Sequence, residues 1–170
     1  MNIADSLSTI AEFSIGLAGF TAIVAIFANS REKVGATMLL RTMNLLVISF
    51  VPGFIALLLL VLLSLPVDSN PIIRITSSTF VLYLLTITFY QYRSRRNMTE
   101  VERQKLNPII WLVCLCITLT TIGLQIVGLS STIAIGTGML LLGMVMHLIL
   151  GALIFSIIII SILRGSAGVT

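Results

Sequence analysis

Five long apolar runs dominate the chain, at about Leu7–Ala28, Met43–Leu65, Ile72–Tyr90, Ile109–Leu129 and Met139–Leu163. Each is close to the roughly 20 residues that an α-helix needs to cross the hydrocarbon of a bilayer. The pattern predicts five helices rather than strands. Backbone groups in lipid must be satisfied within their own segment, and the ten-residue alternation of a membrane barrel is missing. Breakers mark the joins: Asn29-Ser30 before the first basic loop, Pro66 and Pro71 around the second, Asn107-Pro108 opening the fourth run, and Gly136 with Gly138 before the fifth. With such short connections, sequence neighbours are expected to be antiparallel neighbours in space. The expected fold is an all-α integral membrane protein: one transmembrane domain over residues 1–170, built as a five-helix bundle.

Composition supports the same reading. Of the 170 residues, 58% are apolar and only 9% charged, against about 25% charged in an ordinary soluble domain. With a mean hydropathy of +1.15 there is no polar shell to face water, so a soluble fold is excluded. The length leaves no room for a separate catalytic domain beside five spans. Cys114 and Cys116 lie two apart inside an apolar run, a spacing that points them to different helix faces and disfavours a disulfide or zinc site.

Charge adds an orientation. Nine basic residues, Arg31, Lys33, Arg41, Arg93, Arg95, Arg96, Arg103, Lys105 and Arg164, fall on one side of the predicted spans, and only Arg74, with Asp5 and Asp68, falls on the other. By the positive-inside rule the first and third loops are cytoplasmic, the N-terminus outside and the C-terminus inside. Arg41, Tyr90, Tyr92 and Trp111 are the expected interfacial anchors at the cytoplasmic boundary. The formal charge of +4 is accounted for by these topology signals, so nucleic acid is not an expected partner. The first run carries Asp5 and no lysine or arginine ahead of it, and exceeds the apolar length of a secretory signal, so it is expected to be a retained anchor. The stretch from Arg93 to Asn107 is the one sizeable polar connection. It reads as a solvated loop that attracts anionic lipid headgroups, with Asn97 or Thr99 placed to cap a short helical turn.

Ionisable groups within spans are functional candidates by default. Glu12 lies five residues and His147 eight residues from the outer start of their runs, which at about 1.5 Å per residue gives them similar depth. Arg74 and Gln125 lie about one turn in from the same side. Glu12, Arg74, Gln125 and His147 are therefore the candidate intramembrane polar cluster. In the first run Asp5, Ser8, Glu12, Gly16 and Gly19 form one stripe, and in the fifth Gly143, His147 and Gly151 share a face. Small residues allow close helix contact in lipid, so Gly16, Gly19, Gly143 and Gly151 are the expected packing positions, with both stripes turned toward protein. Pro52-Gly53 in the second run predicts a kink. Three roles are open to the cluster: fixing which helices pair, moving a proton or ion, and chemistry on a substrate.

Enzyme signatures are absent. There is one histidine, no metal-ligand spacing and no Gly-x-Ser-x-Gly elbow. Gly128-Leu129-Ser130-Ser131 lacks the closing glycine of an intramembrane serine protease. No cofactor and no metal are expected.

The stretch AEFSIGLAGFTAIVAIF from Ala11 to Phe27, the basic loop with Arg41-Thr42-Met43-Asn44-Leu45-Leu46, Arg74-Ile75-Thr76-Ser77-Ser78 and the glycine-rich last run resemble a group of small uncharacterised bacterial multi-pass proteins with a glutamate–LAGF first helix. The resemblance implies a bacterial inner-membrane location and carries no activity. A glutamate in the first span is also similar to the small multidrug-resistance transporters, but the five-span count departs from that pattern. The expected function is a non-enzymatic scaffold, sensor or accessory subunit, whose partners are the bilayer and a second copy or another membrane subunit. The alternative is a small channel or a proton- or ion-coupled transporter with its polar site in the outer half of the membrane.

Overall fold

The computed structural model describes residues 3–31, 36–66, 68–97 and 108–167. Five helices account for nearly all of them: α1 (Ile3–Arg31), α2 (Ala36–Leu63), α3 (Ser69–Arg96), α4 (Pro108–Ser130) and α5 (Ile133–Ala167). All five are long and apolar enough to cross a membrane, the architecture of a multi-pass membrane protein. No strand occurs among the described residues.

Every helix is longer than its apolar run, and the reasons are local. α3 starts at Ser69 after the N-cap Asp68 and takes Pro71 into its first turn, where a missing N–H costs nothing. It continues through Arg93, Arg95 and Arg96 to the C-cap Asn97, whose amide donates to the Arg93 carbonyl, so three expected loop arginines are helical. Cations in the last turn oppose the negative end of the helix dipole. α5 begins at Ile133, six residues before the expected start, and carries both Gly136 and Gly138 inside it. Gly136 is small because α4 runs beside it: a Cβ there would lie 3.0 Å from the Gly128 carbonyl oxygen. Gly136 packs the hairpin, and neither glycine breaks the helix; no described atom stands within 4 Å of the Cβ position of Gly138. α2 runs unbroken through Pro52.

Hydroxyls in the helices are satisfied at home. Thr21, Ser49, Thr76, Thr118, Thr121 and Thr137 each donate to the carbonyl four residues back, at 2.7–2.9 Å, which removes the cost of a free hydroxyl away from water.

The chain divides into two compact units, Met1–Leu57 with His147–Thr170, and Leu58–Met146. In the first, the buried residues are Leu7, Ile10, Ala11, Ser14, Ala18 and Thr21 of α1, Leu45, Ile48, Ser49, Ile55 and Ala56 of α2, and His147, Leu150 and Ile158 of α5. In the second, α3 packs along α4, and Phe80 and Leu84 of α3 with Leu140 and Met144 of α5 are fully buried. Large apolar side chains such as Phe13, Phe20, Ile75 and Phe89 are exposed instead, the distribution that suits a hydrocarbon solvent.

Candidate functional site

An interhelical hydrogen bond is found in each unit. In the first unit the Ser14 hydroxyl donates to the Ser49 carbonyl at 2.8 Å, and the bond is buried. Ser49 lies four residues before Gly53, and a Cβ on Gly53 would stand 2.5 Å from the Ser14 Cβ and 3.0 Å from its Oγ. In the second unit the Gln125 side chain donates from Nε2 to the Met139 carbonyl at 2.9 Å. Met139 lies four residues before Gly143, and a Cβ there would overlap that same Nε2. The geometry is shared. In a helix the carbonyl of residue i already accepts the amide of residue i+4, and its second lone pair is covered by the side chain at i+4. Glycine at i+4 uncovers it.

The expected site residues fall into two groups. Gln125 and His147 are buried, whereas Glu12 and Arg74 lie on exposed faces. Glu12 accepts a hydroxyl bond from Ser8, one turn away, at 3.3 Å. Arg74 donates from Nε to the Asn70 side-chain oxygen at 3.0 Å. The four groups therefore do not all turn inward. The cause lies in α1. Its buried face runs through Leu7, Ala11, Ser14, Ala18 and Thr21, not through Asp5, Ser8, Glu12, Gly16 and Gly19. Ser14 seated over Gly53 fixes the rotation and turns the carboxylate out.

The packing glycines divide the same way. Gly143 lies against Gln125 and Thr121, and a Cβ on Gly151 would meet Leu17 at 3.1 Å, the Ser49 hydroxyl at 3.4 Å and Ile48 at 3.5 Å. Among the described residues nothing stands within 4 Å of the Cβ positions of Gly16 or Gly19, so neither is a packing position within its own unit. No family model, curated protein or solved structure matches this chain.

At the far end of α3, the Arg95 guanidinium lies 4.3 Å above the centre of the Trp111 ring of α4, within cation–π range. Tyr90 and Tyr92 are exposed and Trp111 is half-buried. Arg41 lies in α2, but its side chain is outside the described residues, as is the segment from 98 to 107 with Thr99. Cys114 is a half-buried free thiol and Cys116 an exposed one. Among the described residues no three His, Cys, Asp or Glu side chains gather where they could hold a metal ion.

Ser14, Ser49 and Gly53 are the residues that the spacing of charges does not reveal. Their signal is weak: one glycine in the middle of an apolar run and one serine facing it. The chemistry they supply is positional. Neither interhelical bond carries a charge, a nucleophile–base pair or a metal ligand.

Proposed function

We propose that this chain is a non-enzymatic subunit of a bacterial inner-membrane assembly, a scaffold, sensor or accessory component, that associates with a second copy through the outward face of α1. Its N-terminus lies outside and its C-terminus in the cytoplasm, as the basic loops require. The observation that carries the reading is the stripe Glu12, Gly16 and Gly19: exposed, with no described atom within 4 Å of either glycine's Cβ position, and including a carboxylate well inside a span. A carboxylate facing acyl chains is costly, and a protein partner removes much of that cost. Two glycines one turn apart let a second helix approach closely. The transport alternative draws less support, because it needs Glu12 to face the interior beside His147.

The test is subunit counting by single-molecule photobleaching in nanodiscs. The wild type is expected to show multiple steps. Gly16→Ile with Gly19→Ile should reduce this to single steps without loss of helix content, because no described atom stands within 4 Å of either Cβ position. Glu12→Gln should weaken association by about threefold to tenfold, the range of one interhelical polar contact in a membrane. A wild type that is a single subunit at every protein-to-lipid ratio overturns the proposal.

A further inference from the structure

The α3 C-terminus carries Arg93, Arg95 and Arg96 in one turn. Arg93 and Arg96 are exposed, while Arg95 is half-buried and lies over Trp111. Its Nη1 is buried without a hydrogen-bond acceptor among the described residues. A guanidinium stacked on an indole uses its face, and with Nη1 buried the Nε–Nη2 edge is the planar fork that a phosphate would use. Glu100 and Glu102 follow in the segment outside the described residues. Among the described residues of this unit the only carboxylate is Asp68, at the opposite end of α3, about 40 Å away at 1.5 Å per residue. Exposed Tyr90 and Tyr92, one turn before these arginines, have the character of residues at the boundary between hydrocarbon and headgroups. Trp111, in the first turn of α4, has the same character.

We propose that Arg95, braced by Trp111 and assisted by Arg93 and Arg96, is a phosphate-binding site for the headgroup of an acidic membrane phospholipid. Trp111 holds the guanidinium in one orientation, so little side-chain freedom is lost when the phosphate is bound. Arg93 and Arg96 supply the positive field that favours a net-negative headgroup over a zwitterionic one. The site is independent of the α1 face, and its failure would leave the assembly reading untouched.

Trp111 is the only tryptophan in the chain, so its fluorescence reports on this site alone. The full chain is placed in phosphatidylcholine nanodiscs containing equal fractions of acyl-brominated phosphatidylglycerol or acyl-brominated phosphatidylcholine. The brominated acidic lipid is expected to quench Trp111 at a severalfold lower mole fraction. Arg95→Gln should lower this preference by about fivefold, the equivalent of one basic side chain near an anionic surface. Arg95→Lys should recover only part of it, because lysine keeps the charge without the fork. Native mass spectrometry counts retained acidic lipids independently of the tryptophan environment and should show the same order. Equal quenching by the two brominated lipids overturns the site. A preference unchanged in Arg95→Gln overturns the role of Arg95. Loss of the preference on adding millimolar inorganic phosphate at constant ionic strength assigns the pocket to free phosphate and overturns the lipid headgroup as its ligand.

Discussion

Replacing Gly143 by alanine adds a single methyl group, yet it should destabilise the α4–α5 hairpin. The new Cβ would overlap Gln125 Nε2 and lie 3.2 Å from Gln125 Cδ and 3.4 Å from Thr121 Cγ2. The amide must swing away, which breaks its 2.9 Å bond to the Met139 carbonyl. An interhelical side-chain bond in a membrane contributes about 0.6 kcal/mol on average and up to about 1.7. Leaving the displaced amide buried without a partner adds about 1–3 kcal/mol. Alanine returns at most about 1 kcal/mol of helix propensity. The net expectation is a loss of about 1–3 kcal/mol, measured by steric trapping or by reversible unfolding in mixed micelles. The clash is with the tip of Gln125, so Gln125→Ala removes it. In that background Gly143→Ala should be neutral or slightly stabilising, giving a coupling of about 2 kcal/mol in the double-mutant cycle. A coupling below about 0.5 kcal/mol would refute the idea that Gly143 exists to admit Gln125.

The companion glycine makes a different prediction, because Gly53 opposes the Ser14 Cβ itself. Gly53→Ala should cost about 1–3 kcal/mol by overpacking, measured in the same unfolding assay, and Ser14→Gly should relieve that cost whereas Ser14→Ala should not. Leu84, fully buried on α3, should lose about 2–5 kcal/mol as Leu84→Ala, while the same change at exposed Leu82 should move the unfolding midpoint little. Single cysteines introduced into a variant lacking Cys114 and Cys116 test the orientation. Cysteine at Asp68 or Ser131 should react with an impermeant maleimide in intact cells, and cysteine at Asn97 only after permeabilisation.

The helices were legible because apolar length alone sets them in a lipid solvent, and their polar ends were not. Arg93, Arg95 and Arg96 read as loop because they are charged, but a helix can project long cationic side chains past its apolar segment without ending. Gly136 and Gly138 read as breakers because glycine is a poor helix former in water. Beside α4 the same absence of a side chain serves contact, as at Gly136 over the Gly128 carbonyl. The rotation of α1 was the larger miss. Two faces of that helix carry small residues, and the charge at Glu12 does not say which of them is buried in its own unit. Ser14, an ordinary residue in isolation, decides the matter through its hydroxyl and the Ser49 carbonyl. Gln125, His147, Gly143 and Gly151 were legible as inward-facing because each interrupts a strongly apolar run on a helix with no other polar face.

The two uncovered carbonyls suggest why so short a chain has one defined arrangement within each unit. Apolar side chains in lipid gain little by exchanging acyl chains for one another, so dispersion packing distinguishes poorly between one helix register and the next. A directional bond does distinguish. Ser14 reaches Ser49 only where Gly53 leaves the way open, and Gln125 reaches Met139 only where Gly143 does. Sliding α1 along α2, or α4 along α5, by a single residue turns each donor by about 100° around its helix and leaves it facing a covered carbonyl. The wrong register then carries an unsatisfied hydroxyl or amide with no water to receive it, and that penalty separates the registers. Both donors are uncharged and both acceptors are backbone, so the selection needs no buried ion pair. Among the described residues, neither the carboxylate of Glu12 nor the guanidinium of Arg95 takes part in this selection.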